Sequence, residues 1–150
     1  MTIKAQLIFL TTVLVFGLSG NAFAAEVEKF TIGYLEITGD PRYEEKRAYA
    51  RIRVKPHDRP LAGAELAMRQ SRIPGRAIKM GFTLERATAE NAKGLVAQIH
   101  RMKSESGIRF FLVDTNAIVL SVIAKTTADS GIVLFNISDY YDRLRGSECQ

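Results

Sequence analysis

The chain has 150 residues, 47% of them hydrophobic and 25% charged, with a formal charge of +5. That length and composition suit one globular domain and leave no room for a second. A single cysteine, Cys149, excludes an internal disulfide framework and a cysteine-based zinc site. The positive charge is mild and dispersed, which gives no footprint for nucleic acid.

The chain opens with a leader. Lys4 supplies a positive start, and Leu7-Ile8-Phe9-Leu10 with Val13-Leu14-Val15-Phe16 form an apolar stretch too short to span a membrane comfortably. Gly20 and Asn21 break it, and Ala22-Phe23-Ala24 fits the small-x-small pattern that signal peptidase accepts. The expectation is a signal peptide over residues 1–24, cleaved after Ala24 and followed by an exported domain over 25–150. No cysteine stands at the cleavage point, so a lipid anchor is not expected, and neither is a membrane span after cleavage.

Strands and helices then alternate. Phe30 to Ile37 is rich in β-branched and aromatic residues, and Thr38, Gly39, Asp40 and Pro41 end it, so it reads as a strand. Leu61 to Arg72 reads as a helix, with Pro60 near its start and Ile73-Pro74-Gly75 closing it. Ile78 to Leu84 is the next strand. Thr88 is positioned to cap the following helix, in which Ala92, Leu95, Val96, Ile99 and Met102 share one face and Gly107 is the stop. Ile108 to Val113 gives a third strand. Asn116 to Asp129 reads as a helix that turns Leu120, Ile123, Ala124 and Thr127 inward and ends at Gly131. Ile132 to Ile137 is the fourth strand.

Apolar strands alternating with amphipathic helices predict an α/β fold, a doubly wound parallel sheet covered on both faces. In such a sheet a ligand sits beyond the carboxyl ends of the strands, where the strand order reverses. For an order 2-1-3-4 that place lies between the first and third strands, at Glu36 to Asp40 and Asp114 to Asn116, with Asn136 to Asp139 alongside. The predicted ligand-lining residues are therefore Glu36, Asp114, Thr115, Asn116, Asn136 and Ser138.

Little in this set points to catalysis. Gly33 and Gly39 are too far apart for a dinucleotide turn, and no Gly-Lys-Ser/Thr phosphate loop is present. His57 falls in a loop and His100 on the polar flank of a helix, so both read as surface residues. Asp114 directly after a strand resembles a catalytic carboxylate, but only Glu36 and Asp139 are available as further acids. No enzyme activity, cofactor or metal is expected.

Residues 38–60 are longer than an ordinary strand-to-helix connection. Arg42, Lys46, Arg47, Arg51, Arg53, Lys55 and Arg59 stand there against Asp40, Glu44, Glu45 and Asp58, with Tyr43 and Tyr49 interleaved. One reading is a basic flap over the cleft. The reading favoured by the alternation of charge is a solvated excursion with local ion pairs of little individual weight.

The order of Ile32-Gly33-Tyr34-Leu35, Leu61-Ala-Gly63-Ala64-Glu65-Leu66-Ala67, Gly75-Arg76 and Ser130-Gly131-Ile-Val-Leu-Phe135 resembles the N-terminal lobe of type 1 periplasmic binding proteins. Gly39-Asp40-Pro41-Arg42-Tyr43, Arg59-Pro60-Leu-Ala-Gly-Ala64 and Asp139-Tyr-Tyr-Asp-Arg-Leu-Arg145 with Cys149 look like one branch of that family. It is the transporter-binding protein found alongside pyrroloquinoline-quinone-dependent alcohol dehydrogenase systems. The resemblance implies an incomplete, Rossmann-like lobe in the periplasm that binds a small-molecule solute for an ABC permease in the inner membrane. The alternative is a periplasmic sensor or interaction module touching a dehydrogenase or a membrane receptor.

One departure bears on the ligand. Amino-acid binders of the family have a Gly-Pro-x-Ser-Ser-type turn where this chain has Asp114-Thr115-Asn116-Ala117. A carboxylate-bearing ligand such as a branched-chain amino acid would face Asp114 unfavourably unless an arginine compensates.

Overall fold

The computed structural model describes residues 27–44, 46–47, 53–54 and 58–146. The expected signal peptide, His57, Cys149 and Arg51 and Lys55 of the basic segment lie outside these residues. Among the described residues, no helix is long and apolar enough to cross a membrane.

Four strands form one parallel sheet: β1 (Glu28–Ile37), β4 (Met80–Ala89), β5 (Phe110–Asp114) and β6 (Val133–Asn136), in the order β4-β1-β5-β6. This is the 2-1-3-4 order on which the predicted site between the first and third strands depends. Two short strands within the basic segment, β2 (Lys46–Arg47) and β3 (Arg53–Val54), pair antiparallel as a separate ribbon that the sequence did not announce.

Helices α1 (Leu61–Gln70) and α2 (Arg72–Ala77) connect β1 to β4 through that segment, α3 (Ala92–Ser106) connects β4 to β5, and α4 (Ala117–Thr127) connects β5 to β6. The sheet register sorts side chains by parity, because successive residues of a strand point to opposite faces. Leu35, Ala87, Phe111 and Val113 share one face, and there Leu95, Ile99 and Met102 of α3 and Leu120 and Ile123 of α4 complete the buried core. Phe30, Phe82, Phe110 and Phe135 stand on the other face, where α1 and α2 pack against β4. Phe30 meets Phe82 edge-on at 5.9 Å and Phe110 at 5.3 Å between ring centroids.

The structure corrects three boundaries. β4 runs to Ala89 instead of Leu84, because it pairs with all ten residues of β1, from Glu28 opposite Met80 to Ile37 opposite Ala89. Thr88 is consequently a strand residue, and Asn91 caps α3 by accepting a 3.0 Å hydrogen bond from the Gly94 N–H. Ile73-Pro74-Gly75 does not terminate a helix but lies inside α2. Pro74 is tolerated there because it sits in the first turn, where a missing N–H leaves no intrahelical bond unmade. The expected stops hold: Gly107 and Gly131 both adopt the left-handed conformation, at φ 67° and 65°.

Candidate functional site

The reversal of strand order falls between β1 and β5, so the C-terminal ends of these two strands open side by side. Glu36 and Asp114 are register partners there and project from the same face. Both are buried, as is Asp40 just beyond the end of β1. Carboxylates in such positions require charged partners or they do not remain ionised.

Those partners come from the basic segment. Arg42 grips Asp40 with its side chain, Nη2 to Oδ2 at 2.7 Å and Nε to Oδ1 at 3.1 Å, and its backbone N–H also donates to Oδ1. The same Nη2 donates to Asp114 Oδ1 at 3.1 Å, and Nη1 donates to the Ser138 hydroxyl at 3.0 Å. Tyr43 donates its hydroxyl to Asp114 Oδ1 at 2.6 Å, and Tyr34 donates to Oδ2 at 3.2 Å. Arg59 bonds Glu36 Oε2 at 3.2 Å and the Ile37 carbonyl, and lies 3.6 Å from Asp114 Oδ2. Arg86, the register partner of Tyr34 on β4, takes the other Glu36 oxygen. Both the Arg42 and Arg59 guanidiniums also lie over the Tyr43 ring, at 5.2 and 4.6 Å.

Three acids are thus matched by three arginines. The acids lie beneath, and Arg42 and Arg59 are partly open to water while Arg86 is half exposed. This overturns the reading of the basic segment as a merely solvated excursion for Arg42, Tyr43 and Arg59, whose side chains seal the strand ends. The driving force is burial: Asp114 and Glu36 leave water only with these donors in place.

The six residues expected to line the site fall into three groups. Glu36 and Asp114 form the base of the ion cluster, and Ser138 joins it through Arg42. Thr115 is fully buried beside Asp114, and among the described residues its hydroxyl is the buried side-chain oxygen with no partner. Asn116 and Asn136 serve the backbone instead. Asn116 caps α4 by accepting from the Val119 N–H at 3.0 Å, and Asn136 ties the turn after β6 by accepting from the Asp139 N–H at 3.1 Å. Asp139 in turn accepts from the Ala117 N–H at 2.7 Å, placing a carboxylate at the positive end of α4.

The predicted lining set left out Tyr34, Arg42, Tyr43, Arg59 and Arg86, and it left out Asp40 although Asp40 closes the stretch named at the end of the first strand. Tyr34 carried a signal, since it shares the parity of Glu36 on β1. Arg59 stood in the basic segment that one reading placed over the cleft, but its contact with Glu36 depends on where that long connection returns. Among the described residues, no cluster of His, Cys, Asp and Glu is arranged to hold a metal ion.

The cluster also sets titration behaviour. Burial, and then the hydrogen bond to Asp114, push the Tyr43 phenol up to about 12. The same two causes, with the Asp114 charge, raise Tyr34 as well. Burial works to raise Asp40, but the Arg42 side-chain and backbone hydrogen bonds outweigh it and hold that carboxyl below its ordinary range. The raised Tyr43 value implies stability fully present below about pH 10, where an unfolded tyrosine ionises, and lost as pH rises through about 12. The lowered Asp40 value implies stability present above about pH 3.9 and lost as pH falls through the folded value. Ultraviolet titration of tyrosinate is expected to show two late-ionising phenols, one of them with a midpoint near 12; in Asp114→Asn the Tyr43 midpoint moves back toward 10. A wild-type titration with every midpoint near 10 contradicts the bonding described here.

Compared with protein-family profiles, with curated proteins and with solved structures, the chain finds no match in any of the three.

Proposed function

We propose that this chain is a non-catalytic binding lobe that captures a small solute in the periplasm for an ATP-driven importer, in the setting of pyrroloquinoline-quinone-dependent alcohol oxidation. The observation that supports it most is the layering at the strand ends. Three buried carboxylates hold three guanidiniums in fixed positions, and the guanidiniums form the layer nearer to solvent. Donors fixed on a rigid sheet edge bind a ligand without a reorganisation penalty. Each acid is already matched by a cation, so none is poised as a base or nucleophile.

The arrangement also speaks to the solute. Asp114 would repel a ligand carboxylate if it stood alone, but Arg42 and Arg59 compensate it. A solute bearing a carboxylate or a comparable oxyanion is therefore the chemistry this surface receives best. The exported location rests on the leader, and the transport setting rests on the family resemblance of the sequence.

Calorimetric titration of the secreted chain with a panel of small carboxylates and neutral analogues tests the reading. Saturable binding of an anion is expected, weakened at least tenfold in Arg59→Gln, a loss of about 1.4 kcal/mol or more. The absence of saturable heat with every anion would sink it in favour of the sensor or interaction module.

A further inference from the structure

The ion cluster at the strand ends is a row with two different ends. Arg42 joins Asp40 to Asp114, Arg59 joins Asp114 to Glu36, and Arg86 follows Glu36. Acid and base alternate along the row, from buried Asp40 at one end to Arg86 at the other. Arg42 and Arg59 each stand between two carboxylates. Arg86 has one, among the described residues, and its side chain is 52% exposed against 27% and 24% for the other two.

The individual nitrogen atoms separate the three arginines further. A guanidinium holds five N–H donors in a planar fork, so it can grip oxyanions along more than one edge. Arg42 engages all three of its nitrogens, Nε and Nη2 on Asp40, Nη2 also on Asp114, and Nη1 on the Ser138 hydroxyl. Arg59 turns both terminal nitrogens inward, Nη1 to Glu36 and Nη2 to the Ile37 carbonyl. Arg86 spends Nε, at 2.8 Å, and one N–H of Nη2 on the same oxygen, Glu36 Oε1. Among the described residues its Nη1 has no hydrogen-bond partner, so the terminal Nη1–Nη2 edge is open.

The position of Arg86 on the sheet agrees. β4 is the outer strand next to β1, and Arg86 is the register partner of Tyr34, on the face that carries Glu36. Helix α2 sits over the start of that strand, where Gly75 abuts the Met80 carbonyl and the Phe82 ring. Arg86 lies four residues beyond Phe82, about 13 Å further along the strand. Buried Glu36 holds the guanidinium from below, so its open edge belongs to a side chain that is already ordered.

We infer that the terminal edge of Arg86 is the seat of the solute's anionic group, and that this seat takes a single carboxylate. The inference rests on the solute-binding reading and adds to it the residue that reads the anion and the number of anionic groups read. A carboxylate there continues the alternation of the row and meets its cation bidentately. At Arg42 or Arg59 the same group would displace a buried acid or stand beside two of them. With one edge open, a second carboxylate on the solute finds no guanidinium and stays in water. Arg59 and Arg86 share Glu36, one oxygen each, so the loss expected in Arg59→Gln reaches the seat through that carboxylate.

Calorimetry of the secreted chain, together with nitrogen-15 NMR of the arginine Nε–H signals, tests the inference. The probes are butyrate, succinate and neutral butyramide, and the Arg86 signal is assigned by its loss in Arg86→Lys. Butyrate is expected to shift that signal saturably, and butyramide is not. Arg86→Lys keeps the charge beside Glu36 but lacks the fork; it and Arg86→Gln are each expected to weaken butyrate at least tenfold. Succinate is expected within about twofold of butyrate, the statistical factor for its two ends. Heat of butyrate binding without a shift of the wild-type Arg86 signal overturns the inference. Butyrate binding that survives both Arg86 substitutions and is lost in Arg59→Gln overturns it too, and leaves the solute-binding reading standing. Succinate at least tenfold tighter than butyrate overturns the single seat. Failure of butyrate and succinate to bind at all overturns the inference, whereas the solute-binding reading falls only when every anion of the wider panel fails.

Discussion

Asp114→Ala is expected to lower the free energy of unfolding by about 3–5 kcal/mol, the range for removing one partner from a buried ionic network. The reason is the number of groups that converge on this side chain. The Tyr34 and Tyr43 hydroxyls, Arg42 Nη2 and the nearby Arg59 Nη1 all have Asp114 as an acceptor or counter-charge. Alanine leaves two phenols and part of two guanidinium charges facing a dry space. In a chain of this size the midpoint of thermal unfolding is expected to fall by roughly 10–20 °C. Asp114→Asn retains an acceptor and loses less. Adding Tyr34→Phe to Asp114→Ala recovers part of the loss, because one stranded donor is removed with its acceptor. Denaturant melts of the three variants check this; a loss below about 1 kcal/mol in Asp114→Ala would show that the cluster does not hold the strand ends.

Gly33→Ala is expected to be comparably severe for a different reason. Gly33 lies in the middle of β1, and a Cβ there would stand 2.6 Å from Phe111 Cε1, closer still to Phe111 Cδ1, and 3.3 Å from Met102 Cε. Phe111 is fully buried against Met102 and cannot swing away without opening the core. Overpacking of this kind costs about 1–3 kcal/mol and rises where neighbours are pinned. The decisive measurement is a double-mutant cycle. Phe111→Leu vacates the ring position the new methyl needs, so Gly33→Ala is expected to be far less harmful in that background. Additive losses in the double mutant would disprove the steric account.

Phe111 also illustrates how far the sequence reaches. Its position in an apolar run between a helix stop and Asp114 marks it as a strand residue. That it packs on Gly33 follows only from the β1–β5 register, which sets the two opposite each other. Leu95, Ile99 and Met102 show the same limit from the other side. Their helical spacing identifies a buried face correctly, and the sequence leaves open what that face covers. Thr88 and Asn91 are both capping residue types three positions apart, and the pairing of β4 with the full length of β1 decides between them.

What the sequence by itself determined is the alternation of elements, the parallel sheet, the buried faces of α3 and α4 and the stops at Gly107 and Gly131, while the 2-1-3-4 order that fixes the reversal point was one arrangement consistent with it. These rest on periodicity, on backbone restrictions of single residues and on the handedness of crossovers, all of which act over a few residues or one connection. Only the tertiary structure decided that the reversal point is closed by Arg42, Tyr43, Arg59 and Arg86. Those side chains come from a long connection and a different strand, and what selects them is the free energy of burying Glu36, Asp40 and Asp114. That quantity exists only once the strands have brought the three acids together out of water.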